Sequence, residues 1–188
     1  MDLYTAIRTR RDYTDPFADV RPPREVIERL IEAATWAPSH RRTEPWRFHV
    51  LAGDARGAMG AAVADWLAAS GEGTESQQQA ARVRLLRAPV VLVLSQVGSP
   101  GDEVRDLEDY AATCCALQNL LLAAEAEGLA AHTSTGVMVQ FTGAKEYLGL
   151  AAHDRIVAYV YLGYRAADVA AKPGERRAPE VRWEWPDA

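Results

Sequence analysis

Residues 23–48 read PREVIERLIEAATWAPSHRRTEPWRF, and this stretch decides the fold more than any other part of the chain. Its first half follows a proline pair, Pro22 and Pro23, and repeats apolar side chains on one side of a helix. Its second half is a polar loop between Pro38 and Pro45, and an apolar segment typical of a strand follows. The stretch therefore predicts a helix with an apolar face to cover, then a loop, then a strand.

The remaining sequence mixes helices and strands without the regular alternation of a parallel sheet. We expect a short helix capped by Asp2, helices over 54–69, 106–127 and 143–148, and strands over 47–51, 90–94 and 156–162. Residues 71–79 are polar and contain glycine, which is typical of a mobile loop or of the frayed start of a helix ending near Leu86. Without a repeat or a long linker, the pattern predicts one α+β domain over 1–188 with an extended polar tail from about 165.

The helix predicted over 106–127 has almost no polar face after Asp109 and stops at Gly128. A domain of this size has few places to cover a helix of about six turns. The helix therefore lies in the middle of the domain or in the middle of a dimer. The leucines that give it an apolar circumference are Leu117, Leu120, Leu121 and Leu122.

Composition excludes several classes of protein. A net charge of -5 on 188 residues argues weakly against nucleic-acid or anionic-membrane binding. Cys114 and Cys115 are adjacent, which disfavours a structural disulfide between them and leaves no spaced ligand set for a metal. We recognise no secretion signal or spanning segment, so we expect a protein of the reducing cytoplasm. The phosphate-loop, dinucleotide, zinc-protease and serine-hydrolase motifs are absent, which excludes most enzymes defined by a single motif.

Two arginines, Arg10 and Arg11, stand where the first helix gives way to a loop. Adjacent guanidinium groups suit the oxygens of a terminal phosphate, and the alternative is a solvated surface pair. Asp12 beside them is a poor neighbour for a phosphate, but it is a good acceptor for sugar-type hydroxyls or a local cap.

Two further segments concentrate hydrogen-bond donors. The loop 39–42, of sequence SHRR, lies between Trp36 and Trp46 and is either a ligand-binding loop or a rigid turn with exposed charges. Residues 133–136, of sequence TSTG, follow an apolar strand-like segment and are either strand-end caps or a line of hydroxyl and backbone N–H groups for a flat heterocycle.

With these segments the chain resembles the flavin-dependent nitroreductase family from about Met1 to Gly163. Four segments carry the resemblance, in family order: IRTRRDYT at 7–14, the stretch 23–48, CALQNLLLAAEAEGL at 115–129 and HTSTG at 132–136. The stretch 23–48 is the most specific, because a helix ending in APS and followed at a fixed distance by PWRF is a strong signature of the family. The APSH form with a basic residue after it is similar to the branch of small single-domain members.

The resemblance implies a mixed, mostly antiparallel sheet flanked by helices, a central apolar helix at a dimer interface, and FMN held by both subunits. By resemblance, the residues that would hold the phosphate and the ribityl chain in one subunit are Arg10, Arg11 and Asp12. Those that would line the isoalloxazine are Thr133, Ser134, Thr135 and Gly136, with the backbone N–H near Thr135 facing its N5. Those that would approach from the partner subunit are Trp36, Pro38, Ser39, His40 and Arg42.

Four positions depart from the family pattern. The family usually has serine where Asp12 stands, asparagine where Arg42 stands and glutamine where Glu44 stands. It commonly has a basic residue where Thr14 stands, so the positive charge expected near the N1 and O2 edge of the flavin has to come from elsewhere. Our hypothesis for its source is Arg41 or Arg42.

The function implied is an FMN-dependent oxidoreductase that takes hydride from NAD(P)H and passes it to a small acceptor, such as a nitroaromatic or a quinone, with ping-pong kinetics. Hydride transfer needs orientation and electrostatics and no acid–base side chain, so no residue is assigned a catalytic role. Two alternatives stay open. One is another flavin reaction on the same scaffold, such as dehalogenation, enone reduction or flavin breakdown, and the other is a flavin-binding protein without turnover.

Overall fold

The computed structural model describes residues 1–166 and 174–184, so part of the predicted tail, 167–173 and 185–188, lies outside the described residues. The helices within the described ranges are α1 (Leu3–Thr9), α2 (Arg24–Thr35), α3 (Asp54–Ser70), α4 (Glu75–Arg84), α5 (Glu103–Ala126) and α6 (Thr142–Leu148). The strands are β1 (Trp46–Ala52), β2 (Val90–Gln96), β3 (Ala130–Ser134) and β4 (Arg155–Gly163). Single 3-10 turns occur at His40–Arg42, Leu85–Arg87 and Val137–Gln140. None of the helices described here has both the length and the hydropathy needed to cross a bilayer.

The four strands form one sheet in the order β1-β2-β4-β3, and each neighbouring pair is antiparallel. All seven residues of β2 are buried, because helices cover both faces of the sheet. Helices α2 and α5 pack on one face, and α3, α4 and α6 pack on the other. The structure confirms the α+β architecture with a sheet flanked by helices.

Successive strand residues enter the two cores alternately, as the pleat of a strand requires. Leu92 packs toward α2 and α5, whereas Val93 packs toward α3. On β3, Ala131 belongs to the α2 and α5 side. The next residue, His132, is paired across the strands with Tyr161, which lies on the opposite side.

The segment 71–79, for which two interpretations were open, contains the first turn of a helix, α4. Its cap is Thr74, whose hydroxyl accepts a hydrogen bond from the backbone N–H of Gln77 (3.3 Å). The side chain of Gln77 in turn accepts from the backbone N–H of Thr74 (2.8 Å). This reciprocal pair is a capping box, and the T-x-x-Q pattern in the sequence is its signal.

Helix α5 is central, as predicted, and the four leucines expected to need a partner are wholly or partly covered within the chain. Leu120 and Leu121 are buried in the core shared with α2. The side-chain amide of Asn119 binds a backbone carbonyl of α2 at 3.3 Å, so α2 covers this half of α5. The exposed apolar side chains lie in the other half, at Val104 (71% exposed) and Leu107 (68%).

Candidate functional site

The edge of β3 that faces away from β4 is paired by the segment after α1. The backbone N–H of Tyr13 donates to the carbonyl of Ala131 at 2.8 Å, and Asp12 forms a parallel bridge with the same residue. The Asp12 carboxylate accepts from the backbone N–H of Thr133 through Oδ1 (2.8 Å), and its Oδ2 lies 2.8 Å from Nδ1 of His132. Both carboxylate oxygens thus contact β3, so Asp12 fixes the arginine doublet beside this strand.

Beyond this pairing the edge of β3 is open. The backbone N–H of Thr133 points away from β4, because it donates to Asp12. Thr135 is the first residue after β3, and the alternation of backbone N–H groups along an extended chain predicts that its N–H faces the same way. Thr135 and Gly136 are exposed, and the N–H of Thr135 donates to no other described residue. If a ligand or another subunit covered this N–H, it would have to provide a hydrogen-bond acceptor for it.

The two arginines of the doublet differ in their surroundings. Arg10 is half-buried, and its guanidinium forms no hydrogen bond or ion pair with the described residues. Nη1 of Arg11 donates to the carbonyls of Arg8 (2.6 Å) and Arg10 (2.8 Å). Gly174 in the tail approaches the guanidinium of Arg11 so closely that a Cβ would collide with it, and Nε of Arg11 is buried without a partner. Arg10 is therefore the open guanidinium, whereas Arg11 lies beneath the tail.

The loop after α2 presents its predicted site residues to the surface. Its exposed residues are Trp36, Pro38, His40 and Arg42, and Ser39 is half-buried. Arg41, Arg42 and Glu44 have positive φ angles of 56°, 53° and 44°. Each such conformation costs a non-glycine residue about 1 kcal/mol or more, and it persists only where the surroundings hold the backbone in place.

Contacts from α5 hold the loop. Asp109 is 3% exposed, and its carboxylate accepts hydrogen bonds from Oγ1 of Thr43 (2.5 Å) and Oγ of Ser99 (3.2 Å). One residue earlier, on the surface, Oε2 of Glu108 lies 2.8 Å from Nδ1 of His40. The first half of α5 therefore sets the position of the loop, and Asp109 is the buried part of this attachment.

The structure brings together two of the three predicted site segments. Residues 10–12 and 133–136 lie along one edge of β3, joined through Asp12. Among residues 1–166 and 174–184, no hydrogen bond, ion pair or ring contact joins the loop 36–42 to either of them. Within the described part of one subunit, these contacts therefore link only residues 10–12 and 133–136.

Sequence reasoning missed a polar group on the other face of β3. The rings of His132 and Tyr161 lie 5.5 Å apart. Burial raises the pKa of Tyr161, whereas the positive charges of Arg84 and Arg87 act in the opposite direction. The sequence contained a signal for this group, because several arginines directly precede the apolar run over 90–94. Arginine side chains near a buried strand have to reach water or polar partners.

The fold and this strand edge define an α+β scaffold that solved proteins share. The "Nitroreductase-like Family Protein from Bacillus cereus" superposes with a TM-score of 0.82 at 28% identity, over 95% of this chain and 92% of that one. A mutant of the "FMN and NADPH-dependent nitroreductase NfnB" from sphigopyxis sp. strain HMH has a TM-score of 0.77 at 19% identity, over 98% and 99% of the two chains, which shows likeness of fold.

The sequence places the chain in the same group. Residues 7–164 match the model of the nitroreductase family. The protein named "Putative NAD(P)H nitroreductase YfhC" in Bacillus subtilis (strain 168) is 30% identical over 182 residues, which cover 96% of this chain and 88% of that protein. The chain belongs to the nitroreductase family, and the resemblance found in its sequence is confirmed.

Proposed function

We propose that this chain binds FMN at the interface of a homodimer and passes hydride from NAD(P)H to a small oxidised acceptor such as a nitroaromatic or a quinone. The observation that supports this most is the edge of β3, where Asp12 joins the segments of Arg10 and Thr135. The guanidinium of Arg10 and the N–H of Thr135 form no hydrogen bond with the described residues. Membership of the nitroreductase family agrees with it, as do the NAD(P)H in the name of YfhC and the FMN and NADPH in that of NfnB.

The residues present fit FMN. Arg10 would bind the phosphate with a charge-assisted hydrogen bond, and the adjacent Arg11 would add a second guanidinium, whose Nε has no hydrogen-bond partner among the described residues. The N–H of Thr135 would donate a hydrogen bond to N5 of the ring. Asp12 binds β3 through both carboxylate oxygens, so it would hold the phosphate-binding arginines in a fixed position relative to Thr135. When bound, FMN accepts a hydride, two electrons and one proton, at N5 from the nicotinamide and returns it to the acceptor.

A second subunit would complete this site. Exposed apolar side chains occur on α1 at Leu3, Tyr4 and Ile7 and on the first half of α5 at Val104 and Leu107, and these two helices contact each other. We call these five side chains the α1–α5 surface and propose that they form one interface. An exposed apolar surface of this kind marks an interface, and a twofold axis is its commonest symmetry. The loop 36–42 is attached to the same half of α5 through Glu108 and Asp109. A partner docked on this surface would therefore bring its own loop to the interface.

In this proposal the protein orients its reactants and supplies electrostatics. The strand edge would hold the N5 edge of the ring system, and NAD(P)H and the acceptor would bind at its exposed face in turn. No side chain is required to take or give a proton at N5, and turnover follows ping-pong kinetics.

Purification and anaerobic reduction test the function. We expect a yellow protein whose released cofactor is FMN, with the visible absorbance bleached by NADH or NADPH and restored by a nitroaromatic or a quinone. Parallel double-reciprocal plots would establish the ping-pong order. A protein that binds no flavin would refute the proposal, and one whose flavin is never reduced by either nucleotide would be a binding protein without turnover.

Replacing Arg10 by alanine should weaken FMN binding by about 1.5–3 kcal/mol, roughly 10- to 150-fold in Kd, because a charged hydrogen bond to the phosphate is lost. Arg11→Ala should have a smaller effect, since Nη1 of Arg11 already binds two carbonyls. Flavin fluorescence titration measures both values, and the exposed Arg8→Ala on α1 is the matched control. Equal Kd values for Arg10→Ala and Arg8→Ala would place the phosphate elsewhere.

A further inference from the structure

The charge of the Asp12 carboxylate can be balanced from β3. Its Oδ2 lies 2.8 Å from Nδ1 of His132, and its Oδ1 accepts a hydrogen bond from the backbone N–H of Thr133. Within the described residues, neither Arg10 nor Arg11 forms an ion pair with this carboxylate, although both directly precede it in the chain. The imidazole of His132 is therefore the side chain placed to neutralise Asp12.

An unbalanced carboxylate at this position would oppose the binding of a phosphate. Asp12 directly follows the arginine doublet, and charges within about 8–10 Å of each other are only partly screened at ordinary ionic strength. A phosphate bound by the doublet would therefore be repelled by Asp12. A protonated His132 would donate to Asp12 from Nδ1 and cancel its charge, so it would remove this repulsion.

The side chain of His132 is 21% exposed, so its imidazole can exchange a proton with solvent. The two carboxylates near the imidazole favour its charged form, and the two arginines oppose it. Among the described residues, only the Asp12 carboxylate forms a hydrogen bond or ion pair with the imidazole. The titratable and charged side chains that face His132, directly across its cleft or through the tyrosine, are Asp12, Asp15, Arg84, Arg87 and Tyr161.

We propose that His132 is a positioning residue of the FMN site, which acts through Asp12 so that FMN binds the protein with a protonated His132 more tightly than the protein with a neutral one. The inference rests on the proposed FMN site. Because FMN then favours protonation of His132, protonation favours FMN by the same factor. Imidazole ordinarily changes its charge between about pH 5 and 8, so this part of the affinity is present at low pH and lost as the pH rises through that range. No proton passes from His132 to the flavin.

The test is the Kd of FMN at pH 6 and at pH 8, measured by flavin fluorescence on the flavin-free protein. We expect the ratio of the Kd at pH 8 to that at pH 6 to be about fivefold or more larger in the parent than in His132→Gln. Asp12→Asn should lower the ratio to that of His132→Gln, because its Oδ1 can still accept from Thr133 while the charge that His132 balances is gone. The FMN phosphate itself titrates near pH 6 in every variant, so the comparison between variants isolates the imidazole.

His153→Gln is the matched control, because His153 belongs to another pair of a histidine and an aspartate. Its Nε2 lies 3.7 Å from Oδ1 of Asp154, and its side chain is 48% exposed. No contact with residues 10–12 or 133–136 is found for this pair within the described part of the chain. The variant should therefore keep the ratio of the parent.

The outcomes separate this inference from the proposed function. If the parent binds no FMN at either pH, the proposed function fails and the inference fails with it. If FMN binds and His132→Gln keeps the ratio of the parent, the role of His132 is wrong while the FMN site stands. A Kd raised by one factor at both pH values would make His132 a strand contact only, which also overturns the inference. If His132→Gln does not fold, Asp12→Asn gives the decision, since an unchanged ratio in that variant contradicts the inference.

Discussion

Replacing Leu107 by glutamate should convert the dimer into monomers and remove FMN from the protein. Leu107 is 68% exposed in one subunit and lies in the α1–α5 surface. A twofold interface would bury two new carboxylates without partners, at a cost of several kcal/mol, so we expect the dimer Kd to rise by roughly 100-fold or more. FMN should be lost too, because a monomer lacks the loop 36–42 of its partner.

Sedimentation velocity with detection of flavin absorbance measures both effects together. Val83→Glu is the matched control: Val83 is 60% exposed on α4, outside the α1–α5 surface, and its replacement should change neither mass nor colour. Leu121→Glu would not serve, because Leu121 is buried within the chain and its replacement would unfold the subunit. A Leu107→Glu protein that remains a yellow dimer would mean that the interface lies on another surface.

Replacing Asp109 by alanine should lower the free energy of unfolding by about 2–4 kcal/mol and release the loop after α2. The buried carboxylate accepts hydrogen bonds from Thr43 and Ser99, and Nε of Arg105 lies 3.6 Å from it. These bonds attach the strained backbone at 41–44 to α5, so without them FMN affinity should fall about tenfold or more.

Glu108→Ala is the control for this prediction, since it removes the neighbouring carboxylate on the same helix. The pair of Glu108 with His40 is exposed, so its loss should cost at most about 1 kcal/mol. Urea denaturation of the apoprotein gives the unfolding free energies, and flavin titration gives the affinities. Equal stability of the Asp109→Ala and Glu108→Ala proteins would show that the loop is held by other contacts.

The elements that the sequence predicts well are those whose signal is local. The run over 90–94 indicated a strand buried on both faces, and β2 has all its residues buried because helices cover both sides. The cap at Asp2 and the stop at Gly128 follow from backbone chemistry that a few neighbouring residues determine. The signal for the start of α4 was equally local, because Thr74 and Gln77 form its capping box. The polar composition of 71–79 is also typical of a loop, so the composition alone did not distinguish the two.

Periodicity shows which sides of a helix are apolar and cannot show what covers them. Leu120 and Leu121 on α5 are covered by α2, which lies some 90 residues earlier in the chain. The side that remains exposed is instead marked by Val104 and Leu107, near the start of the helix. The periodicity of α5 predicts a partner at Leu117, Leu120, Leu121 and Leu122, whereas our proposal places the partner at Val104 and Leu107 of the same helix.

The sequence allows a site residue to be proposed where one segment carries its own chemistry, as in the arginine doublet. It does not do so where a role depends on contacts between distant residues. Asp12 contacts His132, 120 residues later, and Thr43 contacts Asp109, 66 residues later. Through these contacts Asp12 and Asp109 position the backbone around the candidate flavin site. A pattern of neighbouring residues cannot predict contacts between residues so far apart in the sequence.

The central claim is that one FMN site is built from two subunits, and sedimentation of the purified protein with detection at a flavin wavelength tests it most directly. We expect all flavin absorbance to travel with the dimer, and added FMN to raise both the dimer fraction and the melting temperature, because a ligand that binds only the assembled form stabilises that form. A monomer that carries FMN with the affinity of the dimer would contradict the account.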